Sequence, residues 1–299
     1  MITIKVPATS ANMGSGFDSA GIALQYYNTT KVRECEGGLK ISIVDESNKF
    51  LPVDERNLIY RAMVMVFDEV GYKLCGIEII QENKIPITRG LGSSSASIVS
   101  GLLAANKISG NKIDKSGLVT MAAALEGHPD NTTASIVGGM TIAVKDNNKI
   151  IYTKIPVNCN EIVFGVFIPN FILRTRMSRG ILPHTVPHQD CVYNSSRAAL
   201  LAVSMVNRQY DNLRVALKDK LHQPYRTGLI KGCESIFKKA DEYGCLGSYI
   251  SGAGPAIVSV IKTQYSAEFK KNIDVYLKKY MPDWNMMILR PDNLGARII

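Results

Sequence analysis

Pro86-Ile-Thr-Arg-Gly-Leu-Gly-Ser-Ser-Ser-Ala96 is the most informative stretch of the chain. The residues leading into it, 76–81, alternate apolar and polar as a strand does. Gly90 and Gly92 allow a tight turn at positive φ. Three serines then open Ser93–Ile108, a run rich in Ala, Ile and Leu that reads as a buried helix. Serine is a strong N-cap, so one of the three is expected to cap it. Small side chains let a polyphosphate approach the backbone, where free N–H groups and the helix dipole face an anion. No Gly-Lys-Ser/Thr follows and the spacing is not G-x-G-x-x-G, so neither familiar nucleotide motif is present. A glycine turn before a capped helix is also ordinary structure. Physical chemistry alone gives an anion at a helix start and no more.

Outward from this loop, helical and strand patterns alternate. Residues 2–6 read as a strand entering a loop at 7–17, and 39–44 as another strand. Residues 57–70 carry Leu58, Ala62, Met65 and Val66 at helical spacing. Residues 116–125 read as a helix, and 139–144 and 162–168 as strands, with a polar hairpin turn at 145–149. Residues 189–221 are helix-rich, and Ser-Gly-Ala-Gly-Pro at 251–255 reads as a loop between two elements. No repeat or low-complexity tract occurs. Two domains are expected, residues 1–156 and 157–299, meeting near Pro156.

Composition narrows the class. The chain has 299 residues, 46% hydrophobic and 20% charged, which are ordinary globular proportions. The net charge of +9 is scattered, with no block of like charges, and one Trp with 7% aromatics gives little to stack on bases. A nucleic-acid partner is therefore not expected. The six cysteines form no C-x-x-C pair and are too sparse for a disulfide framework. No leader-like start and no long apolar run appear, so a cytoplasmic protein without a membrane partner is expected.

Three more segments join the first loop. They are Pro7-Ala-Thr-Ser-Ala-Asn-Met-Gly-Ser-Gly-Phe-Asp-Ser-Ala-Gly-Ile-Ala-Leu24, Glu126-Gly-His-Pro-Asp-Asn131 and Ser251-Gly-Ala-Gly-Pro255. Together, and in this order, the four resemble the motifs of the GHMP kinases, and Glu126–Asn131 resembles the homoserine kinase branch. The likeness runs from residue 3 to about 260. Phe171-Ile-Leu-Arg-Thr-Arg-Met-Ser-Arg-Gly-Ile-Leu-Pro183 and His222-Gln-Pro-Tyr-Arg226 resemble the branch's two arginine segments. Departures are mild: Met13 for a usual Leu, Ser15 for a frequent Pro, Thr132-Thr133 for Val-Ala, and Arg174 for Ser.

The resemblance implies an α+β, two-layer fold with an N-terminal ribosomal-protein-like domain and a C-terminal ferredoxin-like domain. It implies an ATP- and Mg²⁺-dependent kinase that phosphorylates the hydroxyl of L-homoserine, usually as a homodimer. It places Asn12, Asp18, His128, Asn131, Thr175, Arg179 and Arg226 at the substrate. It places Asn57 and the loop Pro86, Ile87, Thr88, Arg89, Gly90, Leu91, Gly92, Ser93, Ser94, Ser95 and Ala96 at ATP. Ser93 and Glu126 are the implied Mg²⁺ ligands. Chemistry supports these types, because Arg presents a planar fork to carboxylates and Asp pairs with an ammonium. Alone, each of these residues is also an ordinary turn, cap or surface residue. His128 and Asp18 both suit a general base, and substrate binding suits them equally, so none is assigned. A kinase for another small alcohol, a nucleotide-binding regulator without turnover, and a basic RNA-binding module are the alternatives. Glu126–Asn131 speaks against the first, and intact Ser93–Ser95 and Glu126 speak against the second.

Overall fold

The computed structural model describes residues 1–45 and 50–299. In its first half the chain runs β1 (Ile2–Ala11), β2 (Ala20–Glu34), β3 (Gly38–Ile43), α1 (Leu58–Val70), β4 (Gly76–Asn83), α2 (Ser93–Ile108), α3 (Lys115–Glu126) and α4 (Asp130–Val137). A hairpin of β5 (Met140–Asp146) and β6 (Lys149–Ile155) follows. The second half runs β7 (Ile162–Pro169), α5 (Thr175–Gly180), α6 (His188–Val206), α7 (Leu213–Ala216), α8 (Gln223–Arg226) and α9 (Cys233–Glu242). It ends with β8 (Gly247–Ile250), β9 (Ile257–Lys262), α10 (Ser266–Tyr280), β10 (Trp284–Leu289) and β11 (Arg297–Ile298).

Two sheets result. The first is ordered β11-β1-β2-β4-β3, with β5 also paired to β2 and β6 to β5. Among the described residues only β3 and β4 run parallel in it. The second is the antiparallel order β10-β7-β9-β8. One mixed and one antiparallel sheet, faced by helices, give the expected α+β class. The C-terminal strand returns to the first sheet, pairing Ile4 with Ile298.

Strand periodicity explains how the halves join. On β7, Phe164 and Val166 face the large core shared with the first sheet, while Val163 and Phe167 face α9 and α10. β9 repeats this with Val258 and Val260 against Ile257 and Ile261. A sheet covered on both faces reads as a continuous apolar run. That is why β7 is buried along nearly its whole length.

Sequence expectations for α1, α2, α3 and the hairpin hold to within a residue or two. The 15-residue β2 was not anticipated. Its first five residues are all buried and its later ones alternate, so no single period marks it.

Candidate active site

Helix α2 ends toward the site without a side-chain cap. Its N-cap is Gly92 at φ 68°, not a serine as anticipated. The reason is steric: a Cβ there would stand 1.9 Å from Thr9 Oγ1. The serines follow as the first helical residues, and the helix bonds begin only with Ala96 N donating to Gly92 O at 2.8 Å. The N–H groups of Ser93 and Ser94, which line the cavity, are thus left for a ligand at the positive end of a 16-residue helix.

Three other segments are tied to this loop. Thr9 N donates to Leu91 O at 3.1 Å, and Ala256 N to Arg89 O at 3.0 Å. Ser251 Oγ donates to Gly90 O at 2.5 Å. Thr9 Oγ1 donates to Asn131 Oδ1 at 2.7 Å. The strand end of β1, the start of α4 and the 251–255 turn therefore meet beneath the loop.

A cavity of about 300 Å³ opens above them. At its α2 end stand Ser93, Ser94 and Glu126. Ser94 Oγ donates to Glu126 Oε2 at 2.9 Å. Burial raises the Glu126 carboxyl above its ordinary value, with nearby His128 pulling the other way. Beyond Glu126, His128 Nδ1 lies 2.7 Å from Asp130 Oδ1. Burial alone would lower this histidine, but the Asp130 carboxylate outweighs it and the net shift is upward.

Charge gathers at the far end. Arg179 donates to both oxygens of Asp18, at 2.6 and 3.1 Å. Asn12, at φ 70°, accepts from Asp18 N at 3.0 Å and donates to Gly252 O at 2.8 Å. Arg226 is 1% exposed, and burial with the nearby Arg179 brings its guanidinium down to about 10. One carboxylate and two guanidiniums leave this end with one surplus positive charge. The cavity thus has a phosphate-type end and an end suited to a zwitterion.

Chain-wide comparisons agree with this geometry. Residues 57–139 match the GHMP kinases N terminal domain and 198–273 the GHMP kinases C terminal domain. The homoserine kinase of Caldicellulosiruptor saccharolyticus is 43% identical, with 100% of this chain and 96% of that protein covered. That of Clostridium beijerinckii is 46% identical, with 100% and 99% covered. The chain belongs to the homoserine kinase family of GHMP kinases. Its members are phosphotransferases with an alcohol acceptor. The crystal structure of the Cytophaga hutchinsonii homoserine kinase superposes with a TM-score of 0.88 at 27% identity, covering 100% of this chain and 97% of that one. An L. major mevalonate kinase, at 15% identity and a TM-score of 0.71 over 96% of this chain and 95% of that one, shares the fold.

Of the residues singled out by this family's motifs, most line the one cavity. Asn12, Asp18, Glu126, His128, Asn131, Thr175, Arg179 and Arg226 do, as do Pro86, Ile87, Thr88, Arg89, Gly90, Leu91, Gly92, Ser93 and Ser94. Ser95 and Ala96 turn inward and are wholly buried. Asn57 also lies off the cavity wall. Its side chain caps α1, accepting from Ile59 N at 2.9 Å and donating to Pro52 O and Gln81 Oε1. Leu58, the next residue, reaches the cavity instead. Ser94, rather than Ser93, is the loop serine bonded to Glu126. Sequence reasoning grouped Asp130 with His128 and Asn131 as a polar cluster without giving it a role, and missed the contributions of Thr9 and Gly252. An aspartate two residues after a histidine was the available signal for the His128–Asp130 pair.

Proposed function

We propose that the protein transfers the γ-phosphoryl group of ATP to the side-chain hydroxyl of L-homoserine, forming O-phospho-L-homoserine for threonine synthesis. One observation carries this reading: a surplus-positive Asp18–Arg179–Arg226 cluster shares a cavity with an uncapped helix start. An amino acid offers a carboxylate to the arginines and an ammonium to Asp18. Mevalonate, galactose and shikimate each lack the ammonium.

The chain's own groups then position the reactants. The amides of Ser93 and Ser94 and the dipole of α2 hold the phosphates. His128 lines the cavity and is oriented by Asp130 through Nδ1, which leaves Nε2 for the substrate hydroxyl. Thr175 also lines the cavity. Phosphoryl transfer has a loose transition state, so orientation and charge neutralisation carry most of the catalysis and no general base is assigned.

The residues fit Mg²⁺ carried in on ATP. Glu126 and Ser94 offer hard oxygen donors beside the helix start, and Mg²⁺ prefers one or two carboxylates plus phosphate oxygens. Among the described residues no cluster of three or more metal-binding side chains would hold an ion by itself. When bound, the ion supplies neutralisation of phosphate charge.

Two wider readings accompany this. The chain divides near Pro156 into a phosphate-loop unit and a second unit, working as a cytoplasmic homodimer. Among the described residues no helix is long and apolar enough to cross a membrane. Light scattering on purified protein tests the dimer. A coupled ADP-release assay with homoserine, mevalonate, galactose and shikimate tests the substrate. Homoserine should give the highest kcat/KM, and a higher value for any other alcohol overturns the assignment.

A further inference from the structure

Arg226 is a buried cation held only by neutral groups. Its Nε donates to Ser178 O at 3.3 Å, and its Nη1 donates to Gly252 O at 2.9 Å. Nη1 also stands 3.1 Å from His222 Nδ1. Among the described residues no carboxylate forms an ion pair with it, and Nη2 has no protein acceptor. That nitrogen is left for the cavity that Arg226 lines.

The partners of His222 fix its state. A guanidinium only donates, so Nδ1 must present its lone pair. Nε2 lies 2.8 Å from Gly14 O, which only accepts, so Nε2 carries the hydrogen. The ring is 0% exposed. It stacks on Phe17, with centroids 5.0 Å apart and planes at 21°. The same Phe17 ring lies 5.3 Å from the Arg226 guanidinium and 5.9 Å from that of Arg179. His222 and Phe17 thus form one platform beneath both arginines.

We propose that His222 is a positioning residue: in its uncharged Nε2–H form it aims the Arg226 fork at the substrate carboxylate. This rests on the homoserine reading above. A protonated His222 would carry hydrogen on Nδ1, pointing a donor at a donor. It would also add a third positive charge beside Arg179 and Arg226. The charged groups facing it are Arg226 on α8, Asp18 from the β1–β2 loop, Arg179 on α5, and Asp219. Asp219 Oδ2 is 3.6 Å from Nε2. The oxygens of Asp219 already accept from the backbone N–H groups of Leu221, His222 and Gln223. Burial outweighs Asp219 and lowers His222 below the ordinary histidine value.

The experiment compares homoserine with 3-aminopropan-1-ol, the same molecule without its carboxylate. The readout is the ratio of their kcat/KM values, which cancels general damage. His222→Phe keeps a ring on Phe17 and removes both hydrogen bonds. The ratio should fall about tenfold, the size of one hydrogen bond to a charged group, while KM for ATP stays within about twofold. His222→Asn puts an acceptor near the Nδ1 position and should recover part of the ratio. If His222 acts through Arg226, His222→Phe combined with Arg226→Ala should be no worse than Arg226→Ala alone. In the wild type the ratio should fall as pH drops below the ordinary histidine value of about 6.5 and through the depressed folded value, and in His222→Asn it should stay flat. An unchanged ratio in both single variants, or multiplicative losses in the double variant, overturns the proposal. A wild-type ratio near one instead overturns the homoserine reading beneath it.

Discussion

Arg179 and Asp18 form a two-pronged ion pair across 161 residues of sequence, at 2.6 and 3.1 Å. Each partner is about one-third exposed, so the pair adds little to stability. Its value is orientation: both groups are aligned before a zwitterion arrives. Arg179→Ala should raise KM for homoserine on the order of tenfold or more and leave KM for ATP near wild type. Arg179→Lys should recover little, since an ammonium cannot match both oxygens. Steady-state kinetics with each substrate varied in turn decides this. Equal weakening of both substrates would move Arg179 out of the amino-acid end.

Gly92 is the tightest point of the phosphate loop. A Cβ there would meet Thr9 Oγ1 at 1.9 Å, at a φ that L-residues rarely adopt. Gly92→Ala should therefore weaken ATP binding at least tenfold and lower the melting temperature. Gly110, also at positive φ, has open space around its missing Cβ. Gly110→Ala should cost some stability and leave nucleotide affinity intact. Calorimetric titration of ATP into both variants separates loop geometry from backbone strain.

Glu126 and Ser94 should differ in weight. Glu126→Gln removes a charge beside the phosphates, and Ser94→Ala removes one neutral donor. In Mg²⁺ titrations at fixed ATP, Glu126→Gln should need more Mg²⁺ and lose on the order of a hundredfold in kcat, with Ser94→Ala losing less. Chelation by EDTA should abolish turnover in the wild type. Identical Mg²⁺ curves for Glu126→Gln and wild type would remove Glu126 from the ion.

Burial of His222 fixes the sign of one pH effect. Its folded value is depressed, so the unfolded chain binds the proton more readily. The stability it permits is present above the unfolded value of about 6.5 and is lost as pH falls through the folded value. Denaturation midpoints for wild type and His222→Asn should converge as pH drops through that window. In ¹⁵N-histidine spectra the residue should remain the Nε2–H tautomer at about pH 6, where an unperturbed histidine is largely charged. A charged His222 at that pH refutes both expectations.

Much of this arrangement was legible in sequence, for identifiable reasons. Helix α2 was read to the residue because three serines and then a run rich in Ala, Ile and Leu follow a glycine turn directly. Glu126, His128 and Asn131 lie within one short segment, so their proximity was visible. The Arg179–Asp18 pair depends on the fold bringing α5 and the β1–β2 loop together, which no local pattern encodes, whereas the His222–Arg226 contact is a local i,i+4 contact between the N-cap and the last residue of α8. The serine cap was mistaken because propensity weighs the residue's own side chain, while here Thr9, from another strand, excludes any Cβ at the cap position. Asn57 shows the converse: its cap bond to Ile59 N is local, and residue type alone suggests it.

Thr9 tests how far the site extends below the visible cavity. It is 0% exposed, and its hydroxyl is the donor that fixes Asn131 Oδ1. Asn131 Nδ2 faces Asp130 Oδ1 at 3.3 Å, so the amide is held from both sides. Thr9→Val keeps the shape and deletes the hydroxyl, leaving a buried acceptor unpaired. That should cost about 1–3 kcal/mol, lowering the melting temperature by a few degrees. If the bond also aims Asn131, kcat/KM should fall about tenfold, and Thr9→Ser should restore it. Combining Thr9→Val with Asn131→Ala should cost no more activity than Asn131→Ala alone, because the hydroxyl then has nothing to orient. A drop in stability with activity unchanged would leave Thr9 as packing beneath the loop. Losses in activity that multiply in the double variant would show Thr9 acting through Gly92 instead.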